Sequence, residues 1–168
     1  RGMAPLNAAA FPYAFAEGVR EAIHLLKYAA KRRLAAPMAE QMAFTFWKNP
    51  DLRQADVLVP VGLARKRHAR RGYNQSEWLA EELGAILALP VRTWSIRVRD
   101  TRPQVGLSRK ERAANVSGAF GAVPEVSGRH ILLIDDVATT GATAREAARA
   151  LKSAGALSIS LLTFARDV

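Results

Sequence analysis

The sequence predicts an α/β fold whose doubly wound, mostly parallel sheet carries helices on both faces. Short apolar runs alternate along the chain with amphipathic stretches, which is typical of strand–helix–strand units. The run Ile131-Leu132-Leu133-Ile134 has no polar alternation, so it indicates a strand buried on both faces. With 168 residues, 49% of them hydrophobic, the chain is large enough for one compact domain with a true core.

The net charge, the length of the apolar runs and the cysteine content limit the classes of protein to which this chain can belong. The formal net charge is +10, which favours phosphorylated or polyanionic partners. No apolar run approaches the roughly 18 residues of a membrane span, and no secretory leader is recognisable at the start of the sequence. Cysteine is absent, which excludes disulfides and thiolate metal sites and fits the reducing cytoplasm, the location we expect.

Periodicity predicts the elements in order. Residues 1–12 have no regular pattern, whereas apolar positions recur at helical spacing over residues 16–34 and again over 38–47. We expect strands over residues 56–60, 90–96 and 158–164, and a helix over 77–87. The stretch 97–120 is polar and contains Gly and Pro, which predicts a lid or binding loop. Within it Ser108 and Glu111 have the spacing of a capping box that begins a short helix.

The most informative segment runs from Ile131 to Thr143. Asp135 and Asp136 follow the apolar run, and a turn of small and hydroxyl residues then leads into the next helix. Ligands of open α/β sheets bind at the carboxyl ends of strands, and the free N–H groups of a helix start bind anions. The order therefore indicates a sugar-phosphate site in which the two acids accept hydrogen bonds from hydroxyl groups. Taken separately, the acids could be a solvated strand end and the turn an ordinary cap.

A cluster of basic residues follows the predicted strand 56–60. It consists of Arg65, Lys66, Arg67, His68, Arg70 and Arg71. A solvated basic loop is the ordinary interpretation of such a run. However, it lies between a strand end and a helix start, so it should open onto the same sheet edge as the two acids. That position indicates a pyrophosphate-binding role.

Together these segments resemble the type I phosphoribosyltransferases, and within them the ComF competence family. The similar segments are residues 15–28, 59–79, 101–120 and 131–143. The resemblance implies about five parallel strands, with a small hood in residues 1–50 and a phosphoribosyltransferase core in 51–168, packed as one compact domain. The family usually carries a cysteine-rich, zinc-ribbon-like N-terminal segment. The sequence contains no cysteine, so that segment is lost, naturally absent or cut away.

The resemblance also implies the roles of individual residues. Phosphoribosyl pyrophosphate would be bound by Asp135, Asp136, Ala138, Thr139, Thr140, Gly141, Ala142 and Thr143, and its pyrophosphate by Val61, Gly62, Arg70 and Arg71. A flexible loop would include Thr101, Arg102, Arg109 and Asn115, and the catalytic set would be Asp135, Asp136, Arg112 and Gln104. Mg²⁺ would be the cofactor, held indirectly by Asp135 and Asp136.

Three functions stay open at this point. The first is a transferase acting on an acceptor that the sequence does not identify. Thr139 stands where some purine-specific relatives have a further acid that assists the base, so that general base is missing here. The second is a single-stranded DNA-binding protein, and the third is a sensor of phosphoribosyl pyrophosphate without turnover. The resemblance implies a role in natural transformation and DNA uptake, with single-stranded DNA and DNA-uptake or helicase proteins as partners.

Overall fold

The computed structural model describes residues 5–101, 106 and 108–167. Its strands are β1 (Ala8–Ala10), β2 (Tyr13–Ala14), β3 (Val57–Pro60), β4 (Ser95–Arg97), β5 (Phe120–Ala122), β6 (His130–Ala138) and β7 (Ser158–Arg166). Its α-helices are α1 (Glu17–Tyr28), α2 (Ala35–Lys48), α3 (Arg65–Arg71), α4 (Gln75–Leu87), α5 (Arg109–Val116) and α6 (Ala142–Ser153). In the described part of the chain, no helix combines the length and apolarity needed to cross a bilayer.

The main sheet confirms the predicted α/β class. It contains five strands in the order β1-β7-β6-β3, with β2 also paired to β7, and all of these pairings are parallel. The sheet is covered on both faces, and alternate residues of β6 enter two separate cores. Leu132 and Ile134 pack with α1, α2 and α4, whereas Ile131 and Leu133 pack with α6. This double burial explains why the β6 sequence has no polar alternation.

The N-terminal region joins the sheet as well as covering it. We expected residues 1–12 to be irregular, but β1 pairs with β7 over Ala8 to Ala10, and the Asn7 N–H donates to the Ile159 carbonyl at 2.7 Å. Three alanines carry little strand signal of their own, so the pairing is imposed by the neighbouring strand. The segment predicted as a hood thus also contributes β1 and β2 to the main sheet.

Two further elements differ from the sequence prediction. The segment 65–71 is the helix α3 and not a loop, because Arg, Lys and Ala are good helix formers, and Gly72 ends it at φ 79°. The predicted strand 90–96 is divided. Val91 makes a single parallel bridge to Leu58, and Ser95–Arg97 forms β4, which pairs antiparallel with β5.

Candidate functional site

The turn after β6 lies open at the carboxyl edge of the sheet. Thr139, Thr140 and Gly141 are partly exposed between the end of β6 and the start of α6. Gly141 has φ 70°, and a Cβ added there would lie 3.0 Å from an Nη1 atom of Arg145. The Thr140 hydroxyl accepts a hydrogen bond from the Ala142 N–H at 3.3 Å. The turn therefore presents hydroxyl groups at the N-terminus of α6, where the helix dipole favours a phosphate.

Asp135 is the partly buried member of the acid pair. Its Oδ1 accepts hydrogen bonds from the Ser76 hydroxyl at 2.8 Å and from the Asp136 N–H at 3.0 Å. Burial, and next the charge of Asp136, raise the pKa of Asp135 to about 7. A carboxyl group that is fixed by a neighbouring hydroxyl and has a pKa near 7 is typical of a functional site.

Asp136 points in a different direction, beneath α1. It is only 2% exposed, and its Oδ2 lies 2.9 Å from the Nζ of Lys27. Its Oδ1 accepts a hydrogen bond from the Val137 N–H at 2.7 Å. Burial, the largest single effect, lowers the pKa of Lys27, but the charge of Asp136, its hydrogen bond to Lys27 and the charge of Asp135 act together in the other direction, so that the pKa is raised. Both oxygens of Asp136 are thus engaged within the protein, and its direct contact with a ribose stays a prediction.

The turn after β3 forms the second part of the site. The Asn74 side-chain amide donates to the Val61 carbonyl at 3.1 Å, and the same residue caps α4 by accepting from the Ser76 N–H. Gly62 packs tightly on β4, because a Cβ there would lie 2.5 Å from the Ser95 carbonyl oxygen. The turn is therefore fixed by backbone contacts, and Gly62 is the residue that allows them.

Two arginines converge beside this turn. Arg67 donates to the Thr101 carbonyl at 3.1 Å, and both Arg67 and Arg97 donate to the Thr101 hydroxyl. Burial, and next the charge of Arg67, lower the pKa of Arg97 to about 10. Burial, and next the charge of Arg71, lower the pKa of Arg67. Positive charges that destabilise one another in this way indicate an anion site.

Our sequence analysis included Arg67 in the basic cluster but chose Arg70 and Arg71 for this role, and it did not select Arg97. Arg70 is exposed on α3. Arg71 donates to the Gln75 side chain and lies 5.1 Å from the Tyr28 ring centroid. The assignment of Arg70 and Arg71 to pyrophosphate stays a prediction. Arg97 could not be found from the sequence, because it approaches the turn only through the β4–β5 pairing.

The predicted loop is described in part. The predicted capping box of α5 is present, with Ser108 accepting from the Glu111 N–H, and Arg99 donates to the Asn115 carbonyl at 3.2 Å. Arg102 and Gln104 lie outside the described residues. Arg109 and Arg112 lie on α5, but their side chains are outside the described part.

A metal would find few protein ligands here. Among the described residues, no group of three or more His, Asp or Glu side chains could hold an ion. Asp136 already has the Lys27 ammonium as its cation. The indirect role of Asp135 and Asp136 in holding Mg²⁺ therefore stays a prediction.

The arrangement of an acid pair, a threonine turn and a neighbouring strand turn defines the class of protein. The chain belongs to the phosphoribosyl transferase domain family, whose sequence model matches residues 33–167. Among its relatives is the DNA utilization protein YhgH of Salmonella typhimurium, with 34% identity over 150 residues, covering 87% of this chain and 66% of that protein. Another is Competence protein F of Haemophilus influenzae, with 36% identity over 119 residues, covering 68% of this chain and 52% of that protein. These relatives confirm the ComF resemblance.

A solved structure agrees with this fold. The glutamine phosphoribosylpyrophosphate amidotransferase of Bacillus subtilis superposes with a TM-score of 0.50 at 18% identity, covering 76% of this chain and 26% of that chain. This likeness concerns the fold. The chain spans about two thirds of the length of its YhgH relative.

Proposed function

We propose that this site binds phosphoribosyl pyrophosphate together with Mg²⁺ and transfers the phosphoribosyl group to an acceptor. One observation carries the proposal: Asp135 and the threonine turn of β6 lie at the same sheet edge as the turn after β3, beside which Arg67 and Arg97 converge. Parallel strands β3 and β6 are direct neighbours, so a sugar phosphate and a diphosphate can be held at adjacent positions of one sheet edge.

The roles divide between the two turns. The N–H groups and hydroxyls of residues 138–143 hold the 5′-phosphate, and Asp135 accepts hydrogen bonds from the ribose. In the turn Val61–Gly62 the Val61 N–H donates to the Ile134 carbonyl at 2.9 Å, so the Gly62 N–H is the backbone group that we propose to face the diphosphate. Arg67 and Arg97 neutralise the diphosphate charge, since guanidinium groups bind phosphate oxygens in pairs.

The chemistry breaks the bond between the anomeric carbon and the diphosphate oxygen, and forms a bond from that carbon to the acceptor. The electron pair of the broken bond leaves with the diphosphate, so the arginines stabilise the charge that develops there. Asp135 and the threonine turn fix the ring orientation. A bound magnesium ion supplies further positive charge to the diphosphate. The segment 99–115, with Arg112 and Gln104, is proposed to exclude water from the reacting carbon.

Calorimetry tests ligand binding, and pyrophosphate release tests turnover. The wild-type protein should bind phosphoribosyl pyrophosphate more tightly with Mg²⁺ than without it. The double variant Asp135→Asn with Asp136→Asn should lose this binding, whereas Asp51→Asn, which removes an exposed carboxylate, should retain it. Normal binding by the double variant would show that the site has been assigned to the wrong residues. Binding without any product would favour a sensor over an enzyme.

Single-stranded DNA binding is a second candidate function, which the exposed side of α3 favours. Arg65, Lys66 and Arg70 are exposed there, the net charge is +10, and one relative carries the name DNA utilization protein. We propose that α3 attracts the phosphate backbone, in a cytoplasmic role in DNA uptake that also involves uptake or helicase proteins. Affinity for an oligothymidylate should fall steeply with salt. The triple change of Arg65, Lys66 and Arg70 to Gln should weaken it, and an affinity independent of salt would exclude this function.

A further inference from the structure

The last turn of α1 reaches the acid pair, although it is far from it in sequence. Lys27 forms its ion pair with Asp136 at 2.9 Å, and only 21% of the Lys27 side chain is exposed. A lysine that is extended over the edge of the sheet to meet a buried acid differs from an ordinary surface ion pair. Because breaking such a pair leaves a buried charge without compensation, the contact constrains both side chains.

The backbone around Lys27 is itself fixed in place. The Tyr73 hydroxyl donates to the Lys27 carbonyl at 2.7 Å and accepts from the Ala30 N–H at 3.2 Å. The Tyr73 ring stacks on Trp78 of α4 with centroids 4.1 Å apart. One turn earlier on the same face of α1, Ile23 is buried in the core. The helix that carries Lys27 is therefore fixed both by packing and by hydrogen bonds, which hold the lysine side chain next to Asp136.

Asp136 in turn organises the end of β6. Its carboxylate accepts from the Val137 N–H, and its own N–H donates to Asp135. The Ser76 hydroxyl of α4 donates to the same Oδ1 atom of Asp135. The two consecutive acids are thus held by two different helices, α1 through Lys27 and α4 through Ser76, directly before the phosphate-binding turn.

We propose that Lys27 is a positioning residue for ribose recognition, which holds Asp136 and thereby the strand end that presents Asp135 to the sugar hydroxyls. This inference rests on the proposed function and adds a residue of α1 to the site. It predicts a selective effect. The ribose needs the acid pair, whereas inorganic diphosphate needs the arginines that converge on Thr101.

The experiment compares two probes, phosphoribosyl pyrophosphate and inorganic diphosphate, by calorimetry at pH 8 and constant Mg²⁺. Lys27→Met should weaken phosphoribosyl pyrophosphate binding by about tenfold or more, because a misplaced site group costs up to about a hundredfold. Binding of inorganic diphosphate should stay within about twofold. Lys27→Arg, which can still pair with Asp136, should recover most of the lost affinity. Arg32→Met is the matched control, because it removes one charge from the exposed pair with Glu81.

Folding is checked by circular dichroism and thermal melting, since Lys27→Met leaves Asp136 buried without its cation. Should that variant unfold, the pair Lys27→Met with Asp136→Asn removes both charges and should fold yet bind phosphoribosyl pyrophosphate at least about tenfold more weakly. Equal losses of affinity for phosphoribosyl pyrophosphate and for inorganic diphosphate would show that Lys27 contributes only to packing, and would overturn the inference. Wild-type affinity for phosphoribosyl pyrophosphate in the folded variant would overturn it as well. If the wild-type protein itself does not bind phosphoribosyl pyrophosphate, the proposed function fails and this inference fails with it.

Discussion

Replacing Asp135 with Asn should stabilise the protein at alkaline pH while it removes a ligand contact. The pKa of Asp135 is raised from 3.8 to about 7, first by burial and then by Asp136. Above pH 7 the folded protein must therefore carry a charge that the unfolded chain carries more easily. The amide oxygen of Asn can still accept from the Ser76 hydroxyl and the Asp136 N–H, so the variant keeps these contacts without the charge.

The size of the effect follows from proton linkage. Each pKa unit is worth about 1.4 kcal/mol, so the penalty for ionised Asp135 reaches about 4 kcal/mol above pH 7. As the pH falls through 7, the folded wild-type protein takes up a proton and recovers stability, and below about pH 4 both states are protonated. The advantage of Asp135→Asn should therefore fall from about 4 kcal/mol at pH 8 to about 2 kcal/mol at pH 5.

Urea unfolding at pH 8 and pH 5 measures this difference. Asp51→Asn is the matched control, because Asp51 is exposed and its replacement should change the free energy of unfolding by less than about 0.5 kcal/mol. The reasoning is refuted if Asp135→Asn is less stable than wild type at pH 8. It is also refuted if the difference between the two proteins is the same at both pH values.

Four other substitutions, one of them a control, test the local geometry. Gly62→Ala should cost about 2 kcal/mol or more in thermal or urea unfolding, because its Cβ would lie 2.5 Å from the Ser95 carbonyl oxygen. Gly18→Ala on α1 has open space around its Cβ and should instead stabilise by about 0.5–1 kcal/mol, so a similar loss at both sites would contradict the steric account. Ala88→Gly should stabilise by up to about 1 kcal/mol, because Ala88 ends α4 at φ 54°; a loss of stability would show that this strain is absent. Ser108→Ala should cost about 1 kcal/mol through the lost cap of α5, and an unchanged unfolding midpoint would mean that α5 does not depend on it.

The sequence predicts best those features that depend on neighbouring residues. The apolar run of β6, the turn that follows it and the start of α6 are adjacent along the chain, so their order alone predicts a sugar-phosphate site, which stays a prediction. The Ser108–Glu111 capping box is equally local, and it is present. Burial of β6 on both faces also follows from its pattern, because each face requires its own apolar residues.

Contacts between residues far apart in the chain could not be predicted from the local sequence. The lysine that pairs with Asp136 lies more than a hundred positions earlier in the sequence, and nothing in its local pattern distinguishes Lys27 from an ordinary basic helix end. Arg97 reaches its position because β4 pairs with β5. Strand β1 forms because β7 offers an edge for pairing. In each case tertiary contact decided what local preference left undetermined.

The first turn of α4 sets the geometry between the two halves of the site. Asn74 holds the Val61 carbonyl, and two residues later Ser76 holds Asp135. The start of α4 thus fixes the distance between the end of β6, which we propose to face the ribose, and the end of β3, which we propose to face the diphosphate. Inserting one residue between Asn74 and Ser76 would rotate the Ser76 side chain away from Asp135, while Asn74 kept its contact with Val61. The two turns would then no longer be held at the spacing that we propose a single ligand needs.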